Sequence, residues 1–395
     1  MPTKSIPDIP AEQVAHLALE PAELLERILR GESFHVLDVR TPDAELSAPL
    51  NVGEAAAIIR KPYQDFENPI DLAASLPEGE EILVICATSR MARAAAVELE
   101  RAGVKVRYLL GGTRAWDQFY DVREVLLTEG GSVFQVARPG RGDLSYVIIS
   151  HGEAAVIDPL RKIKIYQDIL NRAGAALSWV LDTHAHADHI SGGRALADWA
   201  GVPYYLHPYD AIHPVDMLPA VIPYNPLEDG TPLQIGDARG SVVWFPGHTL
   251  GLVLLKLELA GKRLLFTADG VFMHAIGRPD LGGKAEDWAA LLYESITKRL
   301  PAHVNEDTLI LPGHFASFEE GRKGLFAAAY AEMKAKNTWL EARDQAAFIK
   351  KVLENLPVLP EAYLEMKRIN AGLARADEAF ALELEAGPNL CAVNS

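Results

Sequence analysis

Short apolar runs alternate with amphipathic stretches along the first third of the chain. Apolar positions at helical spacing predict a helix over residues 19–30. Buried strands are predicted at 34–40, 81–85 and 104–110, and an alanine-rich helix over 91–102 lies between the last two. Strands that alternate with helices favour an α/β fold in which helices cover both faces of a parallel sheet.

A second pattern of strands and helices occupies residues 126–320. Strands are predicted at 132–136, 144–150 and 154–159, followed by a helix over 163–173 and a strand at 177–181. The order of strands, helix and strand then recurs more loosely up to about residue 315. This repetition predicts two sheet-and-helix halves that face each other in a four-layer αββα sandwich.

The last part of the chain is predicted to be helical, over residues 325–336, 342–356 and 360–370. We therefore expect three units. An α/β domain spans residues 1–125, a sandwich domain spans 126–320, and a helical extension over 321–395 packs on the sandwich as a cap.

Composition narrows the range of functions. The chain has 395 residues, and its formal net charge of −16 argues against nucleic-acid binding, which requires a basic face. No run of 18 apolar residues is present, and residues 1–10 lack the apolar centre of a secretory signal. Because no such run or signal is present, we expect no membrane partner. With only two cysteines, a disulfide framework is excluded, and we expect a cytoplasmic location.

The segment that follows the predicted strand 177–181 carries the densest group of titratable side chains in the chain. His184, His186, Asp188 and His189 fall within six residues. A loop at a strand end presents such side chains to one point, and imidazole with carboxylate is a typical donor set for zinc or iron. The sequence therefore predicts a metal site here.

Three further strand ends carry one ligand-type residue each. His248 follows an apolar run in Trp-Phe-Pro-Gly-His-Thr, Asp269 follows one in Phe-Thr-Ala-Asp-Gly, and His314 follows one in Leu-Pro-Gly-His. One such pattern is common, but three of them together with the six-residue cluster indicate a single site drawn from four strand ends.

Cys86 stands at the predicted C-terminal end of a central strand, just before a helix begins. Backbone amides and the helix dipole at such a position stabilise a thiolate. On position alone, a reactive cysteine and an inert buried one are equally favoured.

The segments Leu-Asp-Val-Arg at 37–40, Val-Ile-Cys at 84–86 and Leu-Gly-Gly-Thr-Arg-Ala-Trp at 110–116 resemble a rhodanese-like (sulfurtransferase) domain over about residues 15–120. The resemblance implies that Cys86 is catalytic and carries a persulfide. Two departures are present. The loop arginine follows Cys86 one residue early, at Arg90, and residues 48–53 replace the usual Gly-His-Ile-Pro-Gly-Ala turn.

Residues 130–320 resemble the metallo-β-lactamase superfamily, and within it two groups: the persulfide dioxygenases and the glyoxalase II-like hydrolases. The first implies one Fe(II) per chain, held by His184, His248 and Asp269, with His186, Asp188, His189 and His314 around it. The second implies two zinc ions that all seven residues hold together. Because all seven are present, ligand identity alone leaves both open.

Two other segments resemble the dioxygenase group. The Gly-Arg-Pro-Asp segment at 277–280 implies that Arg278 and Asp280 support the substrate pocket. The tail Gly-Pro-Asn-Leu-Cys at 387–391 implies that Cys391 folds back toward the site and lines the same pocket.

The resemblance thus implies a persulfide dioxygenase that converts glutathione persulfide, or a similar small persulfide, and O₂ to sulfite, with the rhodanese-like domain handling or docking sulfur. The alternatives are a dinuclear zinc thioester hydrolase and a metal-binding docking module with a degenerate rhodanese domain. We also expect a homodimer or a higher homo-oligomer. The thiol carrier and the activity of Cys86 stay open.

Overall fold

The computed structural model describes residues 5–66 and 68–394. The outermost residues of the first and third predicted units therefore lie outside the described part of the chain. The strands form three main sheets and one two-stranded sheet. The helices, in chain order, are Pro21–Leu29, Pro42–Ser47, Pro69–Ser75, Arg90–Arg101, Gly112–Asp117, Lys164–Ala173, Gly193–Ala200, Ala285–Glu294, Leu300–His303, Tyr330–Lys336, Gln345–Glu354, Ala362–Asn370 and Glu378–Leu384.

The first sheet is the parallel sheet that the sequence predicts. Its five strands lie side by side in the order Ala18–Leu19, Val106–Leu109, Ile82–Ile85, Phe34–Asp38 and Ala56–Arg60. Alternate residues of the central strands face opposite sides. One side packs against Pro21–Leu29, and the other packs against the buried alanines of Arg90–Arg101.

The second sheet has seven strands. Their spatial order is Asn225–Pro226, Tyr204–Leu206, Ala176–Leu181, Glu153–Ile157, Asp143–Ser150, Gly131–Arg138 and Asp121–Thr128. The predicted boundary between residues 125 and 126 falls inside the last of these strands, which pairs along its length with Gly131–Arg138. The chain thus passes from the first unit into the second through a strand, without a linker.

The third sheet has six strands, in the order Pro232–Ile235, Ala238–Trp244, Val253–Leu259, Lys262–Ala268, Leu309–Pro312 and Ala328–Ala329. Apolar side chains from the second and third sheets form one core between them. The outer faces are covered by Lys164–Ala173 and Gly193–Ala200 on one side and by Ala285–Glu294 on the other. The predicted αββα sandwich is therefore confirmed.

One predicted helix starts at the wrong residue. The helix predicted over 325–336 begins only at Tyr330, because Ala328–Ala329 pairs with Leu309–Pro312 as an edge strand of the third sheet. The tail also leaves the helical pattern, since Ala392–Asn394 pairs with Ala275–Gly277. Within residues 5–66 and 68–394, no helix combines the length and the apolar character needed to cross a membrane.

Candidate metal centre

The four strand ends that the sequence singles out meet at one edge of the sandwich. His184 follows Ala176–Leu181, while His248, Asp269 and His314 follow three strands of the third sheet. All four side chains are at most 2% exposed. Burying this many titratable groups costs free energy unless they are paired or bind a metal, so the partners of each atom decide what the site can do.

Three donor atoms converge without partners. His184 Nε2, His248 Nε2 and Asp269 Oδ2 make no hydrogen bond within the part of the chain that the structure describes. Asp269 Oδ2 lies 3.5 Å from His248 Nε2 and 3.9 Å from His184 Nε2. Two imidazole nitrogens and one carboxylate oxygen aimed at a common point fit a divalent transition metal.

The opposite ring nitrogens fix the protonation of both histidines. His248 Nδ1 donates to the backbone oxygen of Arg278 at 2.9 Å. His184 Nδ1 lies 3.0 Å from Thr183 Oγ1, whose own proton goes to Asp158 Oδ2 at 2.8 Å, so the hydroxyl oxygen accepts. Each Nε2 is left with its lone pair free, which is the form that a metal requires.

Burial keeps both rings neutral. Desolvation lowers the pKa of His248 to about 4, and desolvation together with the neighbouring His186 and His248 rings lowers the pKa of His184 well below its usual range. Neutral imidazoles and one carboxylate make the set His184, His248 and Asp269 ready to bind a cation.

His314 lies beside this set and bonds to carboxylates at both ring nitrogens. Its Nδ1 is 2.6 Å from Asp269 Oδ1, and its Nε2 is 2.8 Å from Asp188 Oδ2. Burial opposes a charged ring, but Asp269 and Asp188 raise the pKa of His314 well above its usual range. Asp188 Oδ2 also accepts from His189 Nδ1 at 3.0 Å. His314 thus bridges Asp188 and Asp269.

His186 is directed toward a different pair of carboxylates. Its Nε2 lies 3.2 Å from Asp158 Oδ1 and 3.7 Å from Asp182 Oδ1. Burial favours the neutral ring, but these two carboxylates raise the pKa of His186 well above its usual range. Its ring packs edge-on against the His184 ring with 4.2 Å between the centroids.

Asp210 joins the two loops that carry the histidine ligands. Its Oδ2 accepts from the backbone amide of Ala185 at 2.8 Å and from Thr249 Oγ1 at 2.7 Å, and its Oδ1 accepts from the amide of Gly251 at 2.8 Å. Because Ala185 and Thr249 directly follow His184 and His248, this carboxylate sets the spacing of the two imidazoles.

The helical extension holds the same loop from the other side. Lys367 Nζ donates to the backbone oxygen of Ala185 at 2.6 Å. Asn370 Nδ2 donates to the backbone oxygens of His186 and His189, each at 2.9 Å. Glu385 Oε1 accepts from the amide of Ile190 at 3.0 Å. The extension therefore helps to shape the metal loop.

Arg278 is fully buried and its guanidinium contacts protein groups. It pairs with Asp280 at 2.7 Å and 2.9 Å and donates to the backbone oxygens of Leu390 and Pro357. These bonds fix the tail beside the centre, while a role of Arg278 and Asp280 in binding substrate stays a prediction.

Cys391 is fully buried, and its Sγ lies within 4.8 Å of carboxylate oxygens of Asp188 and Asp269. Burial and these two carboxylates raise the pKa of the thiol well above its usual range. The tail thus brings a neutral thiol to the centre, while a role of Cys391 in lining the substrate pocket stays a prediction.

Cys86 has a closed environment. It follows Ile82–Ile85, and its Sγ accepts one backbone hydrogen bond, from Ala92 in the first turn of the next helix, at 3.3 Å. The side chain is 1% exposed. Gly112 packs against the Cys86 backbone oxygen so closely that a Cβ would lie 2.2 Å from it. The sulfurtransferase role of Cys86 stays a prediction.

Several residues of the centre escape the sequence analysis. Asp158 and Asp182 do follow strands, which is the signal that identified the ligands. Lys367 and Asn370 continue the buried stripe of Tyr363 in Ala362–Asn370, and a lysine on such a stripe is a usable signal. Asp210 has no comparable local signal.

Comparison with known families supports this architecture. The metallo-beta-lactamase superfamily matches residues 138–314, which include every predicted ligand. The rhodanese-like domain family matches residues 20–119, which include Cys86.

Individual relatives match part of the chain. An uncharacterized protein of Mycobacterium leprae is 33% identical over 204 residues, which cover 47% of this chain and 88% of the relative. A hydroxyacylglutathione hydrolase of Cereibacter sphaeroides is 31% identical over 176 residues, or 43% of this chain and 62% of that protein. A metallo-beta-lactamase structure from Staphylococcus aureus subsp. aureus COL is 28% identical, with a TM-score of 0.52 over 58% of this chain and 69% of that one. The chain therefore belongs to the metallo-beta-lactamase superfamily and carries a rhodanese-like domain ahead of the superfamily domain.

Proposed function

We propose that this protein is a persulfide dioxygenase with a mononuclear iron centre. The reaction is RSSH + O₂ + H₂O → RSH + SO₃²⁻ + 2H⁺, in which the terminal sulfur is oxidised and O₂ is reduced. The rhodanese-like domain then handles or docks the sulfur that the centre consumes, with Cys86 as the sulfur carrier.

The proposal rests on a difference in hydrogen bonding among the seven ligand-type residues. His184 Nε2, His248 Nε2 and Asp269 Oδ2 converge and lack partners, whereas His314 uses both ring nitrogens to bridge Asp188 and Asp269. Two histidines and one carboxylate on one face are the donor set of non-haem iron oxygenases, and Fe(II) held there supplies O₂ activation with positions left for substrate.

The chain's own groups orient and insulate this donor set. The backbone oxygen of Arg278 and the hydroxyl of Thr183 hold the two imidazoles with Nε2 inward. The His314 bridge fixes Asp269 through its Oδ1, which leaves Oδ2 as the single free oxygen. Such outer contacts raise ligand basicity and prevent rotation of the rings.

The test is anaerobic purification of the full chain, measurement of iron and zinc per chain, and O₂ uptake with glutathione persulfide and with the persulfide of a smaller thiol. The proposal expects one iron per chain and one sulfite formed for each O₂ consumed. Zinc-loaded protein that consumes no O₂ with any persulfide would overturn it.

A second candidate is a dinuclear zinc hydrolase of glutathione thioesters. Its support is the 31% identity to a hydroxyacylglutathione hydrolase and the presence of unpartnered His189 Nε2 and Asp188 Oδ1 near the first donor set. This candidate requires His314 to leave its two carboxylates and bind metal. It expects two zinc ions per chain and hydrolysis of a glutathione thioester without O₂ uptake.

A further inference from the structure

A cavity of about 200 Å³ opens beside the metal centre. Its floor includes Ala185 and Thr249, which directly follow the ligands His184 and His248. A molecule in this cavity would therefore contact the residues that directly follow two of the three free donors in the chain.

The walls of the cavity are mainly apolar. The apolar part is formed by Ile212, Pro214, Met217, Leu250 and Trp288, and the polar part includes Tyr209, Asp210, Lys284 and Lys367. Met217 is 69% exposed, Ile212 is 41% exposed and Leu250 is 37% exposed, so these side chains present apolar surface at the mouth. An apolar wall with a few polar groups is typical of a small-molecule site.

Lys367 lines the same cavity and is 3% exposed. Its ammonium group has three donors, and the structure gives it one acceptor, the backbone oxygen of Ala185. No carboxylate of the described residues lies within the 4.0 Å that defines an ion pair with its Nζ. Burial lowers the pKa of Lys367, and the charge of Asp210, which also lines the cavity, opposes that shift. The oxygens of Asp210 already accept from Ala185, Thr249 and Gly251, so two donors of the buried ammonium are left for a ligand.

The loop at the mouth is fastened to the helix that carries Lys367. Asp216 pairs with Arg368 at 2.6 Å and 2.9 Å, and the amide of Val221 donates to the backbone oxygen of Ala371 at 2.9 Å. The apolar wall and the buried ammonium therefore form one unit, with a fixed distance between them.

We infer that this cavity holds the organic half of the sulfur substrate, and that it selects a compact thiol derivative with an apolar body and a carboxylate that pairs with Lys367 Nζ. The inference rests on the proposed function, because it assumes that the substrate's sulfur is directed to the metal centre. It adds the substrate class: a small mercaptocarboxylate rather than a tripeptide thiol.

The test compares two thiols of the same chain length, 3-mercaptopropionate, which ends in a carboxylate, and 3-mercapto-1-propanol, which ends in a neutral hydroxyl. Their binding to the full-length, metal-loaded protein is measured anaerobically by isothermal titration calorimetry. We expect the acid to bind about ten-fold more tightly or better, since a hydrogen bond between two charged groups is stronger than a neutral one. Equal affinities in the wild-type protein would overturn the inference without any variant.

Two variants test whether Lys367 causes the preference for the acid. Lys367→Met removes the charge, and Lys367→Gln removes it while keeping a donor for the Ala185 oxygen, so at least the second should fold. The acid-to-alcohol ratio should fall to within about two-fold of unity in both. Lys350→Met makes the matched change at an exposed lysine and should keep the ratio.

Persistence of the ratio in Lys367→Gln would contradict the inference. Glutathione that binds more tightly than 3-mercaptopropionate, with no loss in Lys367→Gln, would contradict it as well. The two hypotheses can be contradicted independently. A preference for the acid without O₂ uptake would contradict the dioxygenase function, and O₂ uptake without a preference for the acid would contradict the carboxylate site.

Discussion

The metal centre and the Cys86 loop are built at the same kind of place, the C-terminal ends of strands, but they treat polar atoms in opposite ways. At the centre, buried donor atoms, among them those of His184, His248 and Asp269, are left without protein partners. At Cys86, the sulfur is covered by an apolar cluster and bonded to the amide of Ala92. A strand end therefore supplies position only, and it is the neighbouring side chains that make one site open to a ligand and close the other.

The largest effect is expected from the donor set itself. Asp269→Ala, His184→Ala or His248→Ala should each lower bound metal and persulfide oxidation by more than the roughly 10- to 100-fold that outer contacts contribute. The measurement is metal per chain and O₂ uptake, with His16→Ala at an exposed ion pair as the matched control. Normal metal content in Asp269→Ala would mean that the convergence of these atoms is not a metal site.

A smaller loss is expected from the residue that spaces the two imidazoles. Asp210→Asn keeps the size of the side chain but weakens its bonds to Ala185, Thr249 and Gly251. Metal affinity, measured by competition with a chelator, should fall about 10- to 100-fold. Asp198→Asn, at an exposed ion pair with Arg194, should leave it unchanged. If the metal affinity of Asp210→Asn is as unchanged as that of Asp198→Asn, the Asp210 contacts have no effect on the centre.

The sequence predicts the part of this centre that depends on local pattern. The strand that precedes each ligand and the ligand itself are adjacent in the chain, so His184, His248 and Asp269 could be identified together. Lys367 and Asn370 contact a loop about 180 positions earlier, and only tertiary packing brings them there. The strand Ala56–Arg60 is not predicted either, because its half-buried Ala-Ala-Ile-Ile pattern at a sheet edge gives little periodic signal.

The junction between the two regions offers a third test. Asp117 of the rhodanese-like domain accepts a hydrogen bond from the amide of Gly387 in the tail, and burial raises its pKa to about 6 from the usual value of about 3.9. A raised carboxyl pKa contributes stability below pH of about 3.9, and that contribution is lost as pH rises through about 6.

Asp117→Asn should remove this dependence. Relative to the wild-type protein, the variant should gain about 1–3 kcal/mol of unfolding free energy at about pH 8 and roughly half as much at about pH 5. Guanidinium denaturation at the two pH values measures the difference. A gain of the same size at both would show that the Asp117 carboxyl does not titrate in this range.

The smallest effect concerns the thiols. Both cysteines are buried, so native protein should react slowly with a thiol reagent, and the two thiols should become available on unfolding. Rapid reaction of one thiol in the native state, lost in Cys86→Ala and kept in Cys391→Ala, would show that the Cys86 loop opens. The Cys86 site would then be closed for only part of the time, and its difference from the metal centre would depend on motion of the loop.

The number of metal ions per chain tests the central claim most directly, because it asks whether three residues or seven act as ligands. The measurement is elemental analysis of the wild-type protein and of His314→Gln, both purified anaerobically. We predict one iron per chain in both proteins, since His314 bridges two carboxylates and, on the proposed function, is not a metal ligand. Two metal ions in the wild-type protein, falling to one in His314→Gln, would contradict the account.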